Sequence, residues 1–232
     1  MMGVGVLYHA FRKSLRENRA KIAPLQVVSR LEEYLTKEFC SLIITKSGMK
    51  ILPLTSPGLS KDKRRIDLAL MEGDLSKARN LETAKRFRSK LLIRGFLEVK
   101  YLRNRHRFGY SDAQDEIRPT LKDLHRQLGQ FNLAEYAGYR VHLRGRRKDI
   151  YGLVFASHAR REDELRAADE PTIADDRKSF LEKIKKCARK EGLRYYDLSK
   201  PQLDVVYADE PVTILKGKFR TSLYLGLWRL GD

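Results

Sequence analysis

Three charged residues of this sequence lie in apolar surroundings. Glu98 and Lys100 are two positions apart within the apolar run Leu91–Arg103, and Asp67 lies near the start of a second apolar run, Arg64–Met71. Moving a carboxylate or an ammonium group into an apolar interior is unfavourable unless the group is paired or binds a ligand. The sequence therefore indicates either an internal ion pair or a binding site.

Both apolar runs are predicted to be largely buried strands, because they are rich in Leu, Ile, Phe, Val and Tyr. Side chains alternate between the two faces of a strand. Glu98 and Lys100 should therefore share one face of the sheet, while Leu97, Val99 and Tyr101 point to the other.

An aspartate on one strand followed by Glu-x-Lys on the next resembles the core motif of the PD-(D/E)XK nuclease superfamily. Asp67, Glu98 and Lys100 match this motif, and Ile66 stands where the family name has proline. The order of elements over residues 24–157 is also similar. The resemblance implies an α/β fold with a restriction-endonuclease-like core, in the order α-β-β-β-α-β. A central mixed sheet would be flanked by helices, with an additional α/β extension at the C-terminal end.

The spacing of apolar residues supplies the elements of this core. The predicted elements are a helix opened by Pro24, a strand Ser41–Lys46, a loop or hairpin Gly48–Arg65, the two strands above, a helix from about Ser111 to Phe131 that Pro119 should interrupt, and strands Tyr139–Leu143 and Asp149–Ser157. Before them, a short helix is expected around Leu7–Arg16.

The remaining chain is predicted to add one helix and several strands. These are the helix Arg177–Lys190, ended by Gly192, and the strands Leu193–Leu198, Leu203–Ala208, Val212–Lys216 and Ser222–Leu230. The predicted organisation is an N-terminal basic segment 1–23, a nuclease-like core 24–160, and a C-terminal extension 161–232.

The resemblance also implies roles for individual residues. Asp67 and Glu98 would bind Mg²⁺ or Mn²⁺, with the Val99 carbonyl as a further ligand, and Lys100 would orient the attacking water or stabilise the transition state. Glu32 lies in the middle of the apolar stripe of the first core helix, and its geometry fits an acidic residue that reaches a second metal. The implied function is a metal-dependent nuclease, with DNA as the most common substrate of the family.

The charge of the chain predicts a polyanionic partner. Its 232 residues carry 48 Lys and Arg against 30 Asp and Glu, a formal net charge of +18 and a pI of about 9.9. An inert basic surface is the alternative. The cations expected to contact phosphates near the site are Lys63, Arg64, Arg65, Arg103, Arg105 and Arg107.

Two cysteines, Cys40 and Cys187, are far apart and have no metal-ligand spacing, so a disulfide framework and a zinc site are not predicted. This cysteine usage fits a reducing cytoplasm. No apolar run reaches the length of a membrane span, so no membrane association is expected. A homodimer is one arrangement by which such nucleases cut two strands.

Two alternatives remain open at this point. Glu98 and Lys100 could form a structural salt bridge on a half-exposed sheet face. The chain could also be a non-catalytic nucleic-acid-binding protein with a degenerate nuclease fold. The sequence contains no Walker loop, dinucleotide-binding glycine pattern or nucleophile elbow. It does not distinguish duplex, single-stranded or branched DNA from RNA.

Overall fold

One mixed sheet with helices on both faces forms the described part of the protein. The computed structural model describes residues 4–28, 31–46, 51–55, 67–72, 92–104, 117–130, 140–141, 150–162, 172–195, 203–214 and 216–230. Its helices are α1 Val4–Glu17, α2 Arg19–Val28, α3 Leu31–Lys46, α4 Ile117–Gly129 and α5 Ile173–Lys190. Its strands are β1 Ile51–Thr55, β2 Leu68–Glu72, β3 Leu92–Arg103, β4 Arg140–Val141, β5 Ile150–Arg161, β6 Leu193–Tyr195, β7 Asp204–Ile214 and β8 Gly217–Leu230.

The strand order across the sheet is β1-β2-β3-β5-β8-β6, with β4 paired to β3 and β7 paired to β8. Strands β1, β2 and β3 form an antiparallel meander, β5 is parallel to β3, and β8 is antiparallel to β5. The prediction of an α/β protein with a mixed sheet flanked by helices is confirmed.

The sheet separates two apolar cores. Helices α1, α2 and α3 cover one face, where Leu97 and Val99 of β3 contribute to the core. Helices α4 and α5 cover the other face, where Phe96 and Leu102 of the same strand are buried. Because alternate residues of β3 enter opposite cores, the predicted alternation of this strand is confirmed.

The predicted strand Ser41–Lys46 is wrong, because these residues form the last turns of α3. Buried residues recur every four positions along this helix, at Leu31, Leu35, Phe39 and Ile43. This helical spacing continues through the β-branched segment, and tertiary packing therefore overrides its strand propensity. The first strand is instead β1, which lies in the segment predicted as a loop or hairpin.

Proline positions account for two further differences at helix ends. Pro24 does not open a helix, since it lies inside α2, whose first turn is bonded to the Asn18 carbonyl. Pro119 lies in the first turn of α4, where backbone N–H groups have no intrahelical partner and proline is tolerated. Residues 111–116, the predicted start of that helix, lie outside the described residues.

The C-terminal region follows the prediction with one merger. Helix α5 starts earlier than expected, at Ile173, where the Thr172 side chain caps it, and Gly192 follows it with a φ of 66°. The two strands predicted over 203–216 are the single strand β7. A register shift near Asp209, which has a φ of 54°, separates the two halves.

Gly152 on β5 lets α4 lie directly on the sheet. It pairs with Glu98 of β3, and a Cβ atom built on it would lie 2.7 Å from Leu124 Cδ1 of α4. Real Cβ atoms do not approach other side chains so closely, so a larger residue here would force the Leu124 side chain to move.

We therefore expect Gly152→Ala to lower the free energy of unfolding by about 1–3 kcal/mol, because the added methyl overlaps Leu124. Urea unfolding followed by circular dichroism measures this change. Gly129→Ala at the end of α4 is the control, since the nearest atom to its added Cβ is at 3.7 Å. Equal midpoints for Gly152→Ala and the wild type would contradict the close approach.

Candidate active site

Glu98 and Lys100 form a close pair on the α4 side of β3. Lys100 Nζ lies 2.7 Å from Glu98 Oε1, and the Glu98 side chain is only 3% exposed. The shared face follows from strand alternation. The pair thus occupies a position that an apolar residue would otherwise fill, between the buried side chains of Phe96 and Leu102.

Asp67 is held against β3 by reciprocal hydrogen bonds. The Val99 amide donates to Asp67 Oδ2 at 2.7 Å, and the Asp67 amide donates to Glu98 Oε2 at 3.3 Å. These bonds continue the antiparallel register, in which Leu68 pairs with Leu97. The two acids and the amine of the sequence motif therefore lie together at one point of the sheet. Val99 contributes its amide here, and the metal contact predicted for its carbonyl stays a prediction.

Burial and a nearby negative charge make Glu98 a weaker acid than an exposed glutamate. Its pKa is raised to about 7, first by burial and then by the nearby Asp67 carboxylate, while Lys100 and the Asp67 amide act in the opposite direction. Burial alone would lower the pKa of Lys100, but its carboxylate partners Glu98 and Asp123 outweigh this effect and raise it. Both shifts favour the protonated form, which is the neutral acid for Glu98 and the ammonium ion for Lys100.

Asp123 of α4 also belongs to this cluster, although no motif in the sequence points to it. Its Oδ2 lies 2.9 Å from Lys100 Nζ, and its other carboxylate oxygen contacts Arg126 one turn later. Burial opposes ionisation of Asp123, but hydrogen bonds from Lys100 and Arg126 lower its pKa. In the sequence Asp123 is only an acidic residue beside the apolar Leu124, which predicts no role for it. Its contact with Lys100 depends on how α4 packs against Gly152.

Glu32 approaches the same cluster from the opposite helical layer. It is exposed near the start of α3, and its pKa is raised by partial burial and by Asp67, whereas Lys100 and Arg103 lower it. The carboxylate is therefore within electrostatic range of all three groups. The adjacent Glu33 instead forms an ion pair with Lys37 on the exposed side of the helix, at 2.7 Å.

The donor atoms at this site suit a hard divalent cation. Carboxylate oxygens are preferred ligands of Mg²⁺ and Mn²⁺, and protein-bound Mg²⁺ often has only one or two carboxylates with water and substrate phosphate completing the shell. Asp67 and Glu98 provide such a pair. Within the described ranges, no group of three or more His, Cys, Asp or Glu side chains is arranged to hold a metal. Among the described residues, Asp67 and Glu98 are therefore the candidate ligands, and metal binding stays a prediction.

Of the cations predicted to contact phosphates, Arg103 lies at the end of β3, half-buried and within electrostatic range of Glu32. Five others lie outside the described residues, namely Lys63, Arg64, Arg65, Arg105 and Arg107.

Comparison with known proteins does not assign a family. No family model, no curated protein and no solved structure matches the chain. In the portion of the chain covered by the structure, no helix is both long and apolar enough to cross a membrane.

The raised pKa of Glu98 predicts a pH-dependent stability. The folded state binds the Glu98 proton more tightly than the unfolded state does. The stabilisation that protonated Glu98 gives the folded state is therefore fully present below pH 4.5 and is lost as the pH rises to about 7. We expect Glu98→Gln to abolish this decline, which should amount to roughly 1–3 kcal/mol in the wild type. Urea unfolding at a series of pH values measures it.

Glu17→Gln is the control for this experiment, because the Glu17 side chain is 63% exposed on α1. It should keep the wild-type profile between pH 4.5 and 7. A Glu98→Gln profile that runs parallel to that of the wild type would show that Glu98 does not titrate in this range.

Proposed function

We propose that the protein is a divalent-metal-dependent nuclease with a restriction-endonuclease-like core, acting on DNA as an endonuclease. The observation that carries the proposal is the convergence of Asp67, Glu98 and Lys100. Glu98 and Lys100 lie on β3 and Asp67 directly precedes the adjacent strand β2, and hydrogen bonds from the Val99 and Asp67 amides tie the two acids together.

The order of elements around the site supports the same class. Helix α3 precedes the antiparallel meander β1-β2-β3, α4 follows, and β5 returns parallel to β3. Apart from the two-residue strand β4 before β5, this order of the described elements is similar to the helix, three strands, helix, strand order of the superfamily that the sequence motif resembles. Strands β7 and β8 would then belong to the C-terminal extension.

Hydrolysis of a phosphodiester requires an attacking water and compensation of the negative charge that develops on the phosphate. A bound Mg²⁺ or Mn²⁺ would supply Lewis-acid stabilisation and lower the pKa of a coordinated water. Asp67 and Glu98 would hold this ion, with Glu32 at the rim. Metal binding requires an ionised Glu98, so the affinity for metal should fall below pH 7.

Lys100 is suited to act directly on the reacting groups. An ammonium group has three N–H donors, and contacts to Glu98 and Asp123 use two of them. The third can donate to the attacking water or to a phosphate oxygen. Asp123 would be a positioning residue, since it restrains the Lys100 amine from the α4 side.

A non-catalytic nucleic-acid-binding protein is the second candidate. The observation that favours it is the satisfied Lys100–Glu98 ion pair, together with the lack of a three-ligand group among the described residues. In that case the buried pair would be structural and the basic surface would bind nucleic acid without cleaving it.

We expect purified protein to cleave DNA with Mg²⁺ or Mn²⁺, and Asp67→Asn and Lys100→Met each to reduce the rate by at least about 100-fold. Both variants should still retain DNA in a gel shift with the metal chelated. Plasmid and oligonucleotide cleavage followed on gels measures the rate. Wild-type protein that binds nucleic acid but cleaves no duplex, single strand, branched substrate or RNA would establish the second candidate.

Glu32 and Glu33 provide a matched pair for testing the rim of the site. Glu32→Gln should lower the cleavage rate about tenfold or more and raise the Mg²⁺ concentration needed for half-maximal rate, because it removes a carboxylate near Asp67. Glu33→Gln changes the net charge equally but faces Lys37, and should leave both quantities unchanged. Equal effects of the two substitutions would remove Glu32 from the site.

A further inference from the structure

Helices α4 and α5 carry a concentration of positive charge on the sheet face that also bears Glu98 and Lys100. Together they contain ten Lys and Arg residues against four Asp and Glu. The three helices on the opposite face contain seven against four, over a greater total length. The excess positive charge of the described helices is therefore highest on the α4–α5 side.

This charge is arranged along the exposed sides of the two helices. On α4, residues 118, 122 and 126 recur every four positions opposite the buried stripe, and on the last turns of α5, residues 186, 189 and 190 are exposed. Six residues form this basic track: Arg118, Lys122, Arg126, Lys186, Arg189 and Lys190.

The two halves of the track are linked to each other and to the candidate site. Arg118 Nε of α4 lies 3.5 Å from the Glu191 carboxylate, which directly follows α5. At its other end, Arg126 contacts Asp123, whose second oxygen binds Lys100. Salt bridges therefore connect the track to Lys100 through Asp123 and connect α4 to the end of α5 through Glu191.

Acidic residues along the basic track pair with two of the six track cations, Arg118 and Arg126. Asp123 is bound by Lys100 and Arg126, Glu191 by Arg118, and Glu182 by Lys185 at 2.7 Å. Within the described residues, Lys122, Lys186, Arg189 and Lys190 contact no carboxylate. These four cations are the ones that a polyanionic ligand would neutralise.

We infer that the basic track is the docking surface for the phosphate backbone of the nucleic acid that flanks the candidate site. This inference rests on the proposed nucleic-acid substrate, although it does not require hydrolysis. The α4 cations are spaced by about 6 Å along the helix axis, so the three span about 12 Å, or three to four base pairs of duplex. A regular row of this length matches a regularly charged polymer.

A lipid surface fits the track less well. Amphipathic helices that bind membranes insert large apolar side chains beside their cations. Among the described residues, the exposed large hydrophobic side chains are Val6, Val28 and Val205, on α1, α2 and β7. In the described residues, α4 and α5 expose no large hydrophobic side chain, so their outer surfaces carry charge but have no apolar group to insert into a membrane.

The test compares two fourfold variants with the same net charge. The track variant is Lys122→Gln, Lys186→Gln, Arg189→Gln and Lys190→Gln. The control variant is Lys13→Gln, Lys21→Gln, Lys37→Gln and Lys46→Gln, which changes exposed lysines of α1, α2 and α3 on the opposite face. Glutamine preserves helix propensity, and urea midpoints of both variants check that they fold.

Binding to a labelled short DNA duplex is measured by fluorescence anisotropy at several salt concentrations, with divalent metal chelated. The track variant should bind at least about tenfold more weakly than the wild type, and the slope of log K against log salt should be shallower by about 3. The control variant should bind within about twofold of the wild type.

Equal weakening in both variants would show a diffuse charge effect and overturn the inference, as would a track variant that binds like the wild type. A wild type that binds neither DNA nor RNA would also overturn it. So would a track variant that loses binding to anionic vesicles but binds the duplex like the wild type. Cleavage is scored separately. If the protein cleaves DNA but the track variant binds like the wild type, only the docking surface is refuted. If binding depends on the track but no substrate is cleaved, only the nuclease is refuted.

Discussion

The burial of the Glu98 carboxylate is the constraint on which the rest of the site depends. An ionised carboxylate at this depth is unfavourable unless hydrogen bonds and an opposite charge compensate it. Compensation comes from the Asp67 amide and from Lys100, and Asp123 of α4 in turn restrains Lys100. That last contact requires α4 to lie close to the sheet, which the missing side chain of Gly152 permits. The position of the Lys100 amine therefore depends on the packing of α4 against the sheet.

Strand β3 meets this requirement while also contributing to both cores. Leu97, Val99 and Tyr101 pack under α1–α3, whereas Phe96 and Leu102 pack under α4 and α5 on either side of the charged pair. The site consequently lies where the two helical layers approach the same strand end, with Glu32 reaching it from one layer and Asp123 from the other. This position gives an otherwise apolar strand access to charged groups from both faces.

Sequence reasoning succeeded where a pattern is local and failed where long-range packing decides. Alternation along β3 is a property of the strand itself, so the shared face of Glu98 and Lys100 could be predicted, as could helix α5 from its apolar spacing. Segment Ser41–Lys46 has strand-like composition, but the buried stripe of α3 continues through it and keeps it helical. Asp123 could not be identified, because nothing near it in the sequence indicates that α4 places it on Lys100.

The balance of charge separates a structural salt bridge from a binding site. A buried structural pair is most stable with one acid for one base. Here Glu98 and Asp123 both contact Lys100, Asp67 lies near Glu98, and Glu32 is within electrostatic range of Lys100. Even with Arg103 and Arg126 counted, carboxylates are in excess locally, in a chain of net charge +18. Asp67 contributes to the raised pKa of Glu98, which would be easier to ionise without it. Such an arrangement is unfavourable for stability alone, and a phosphate drawn in by nearby cations would be repelled by it. A divalent cation would remove both conflicts, since it would compensate the acids and attract the phosphate, and this is the physical reason for proposing a metal site at this cluster.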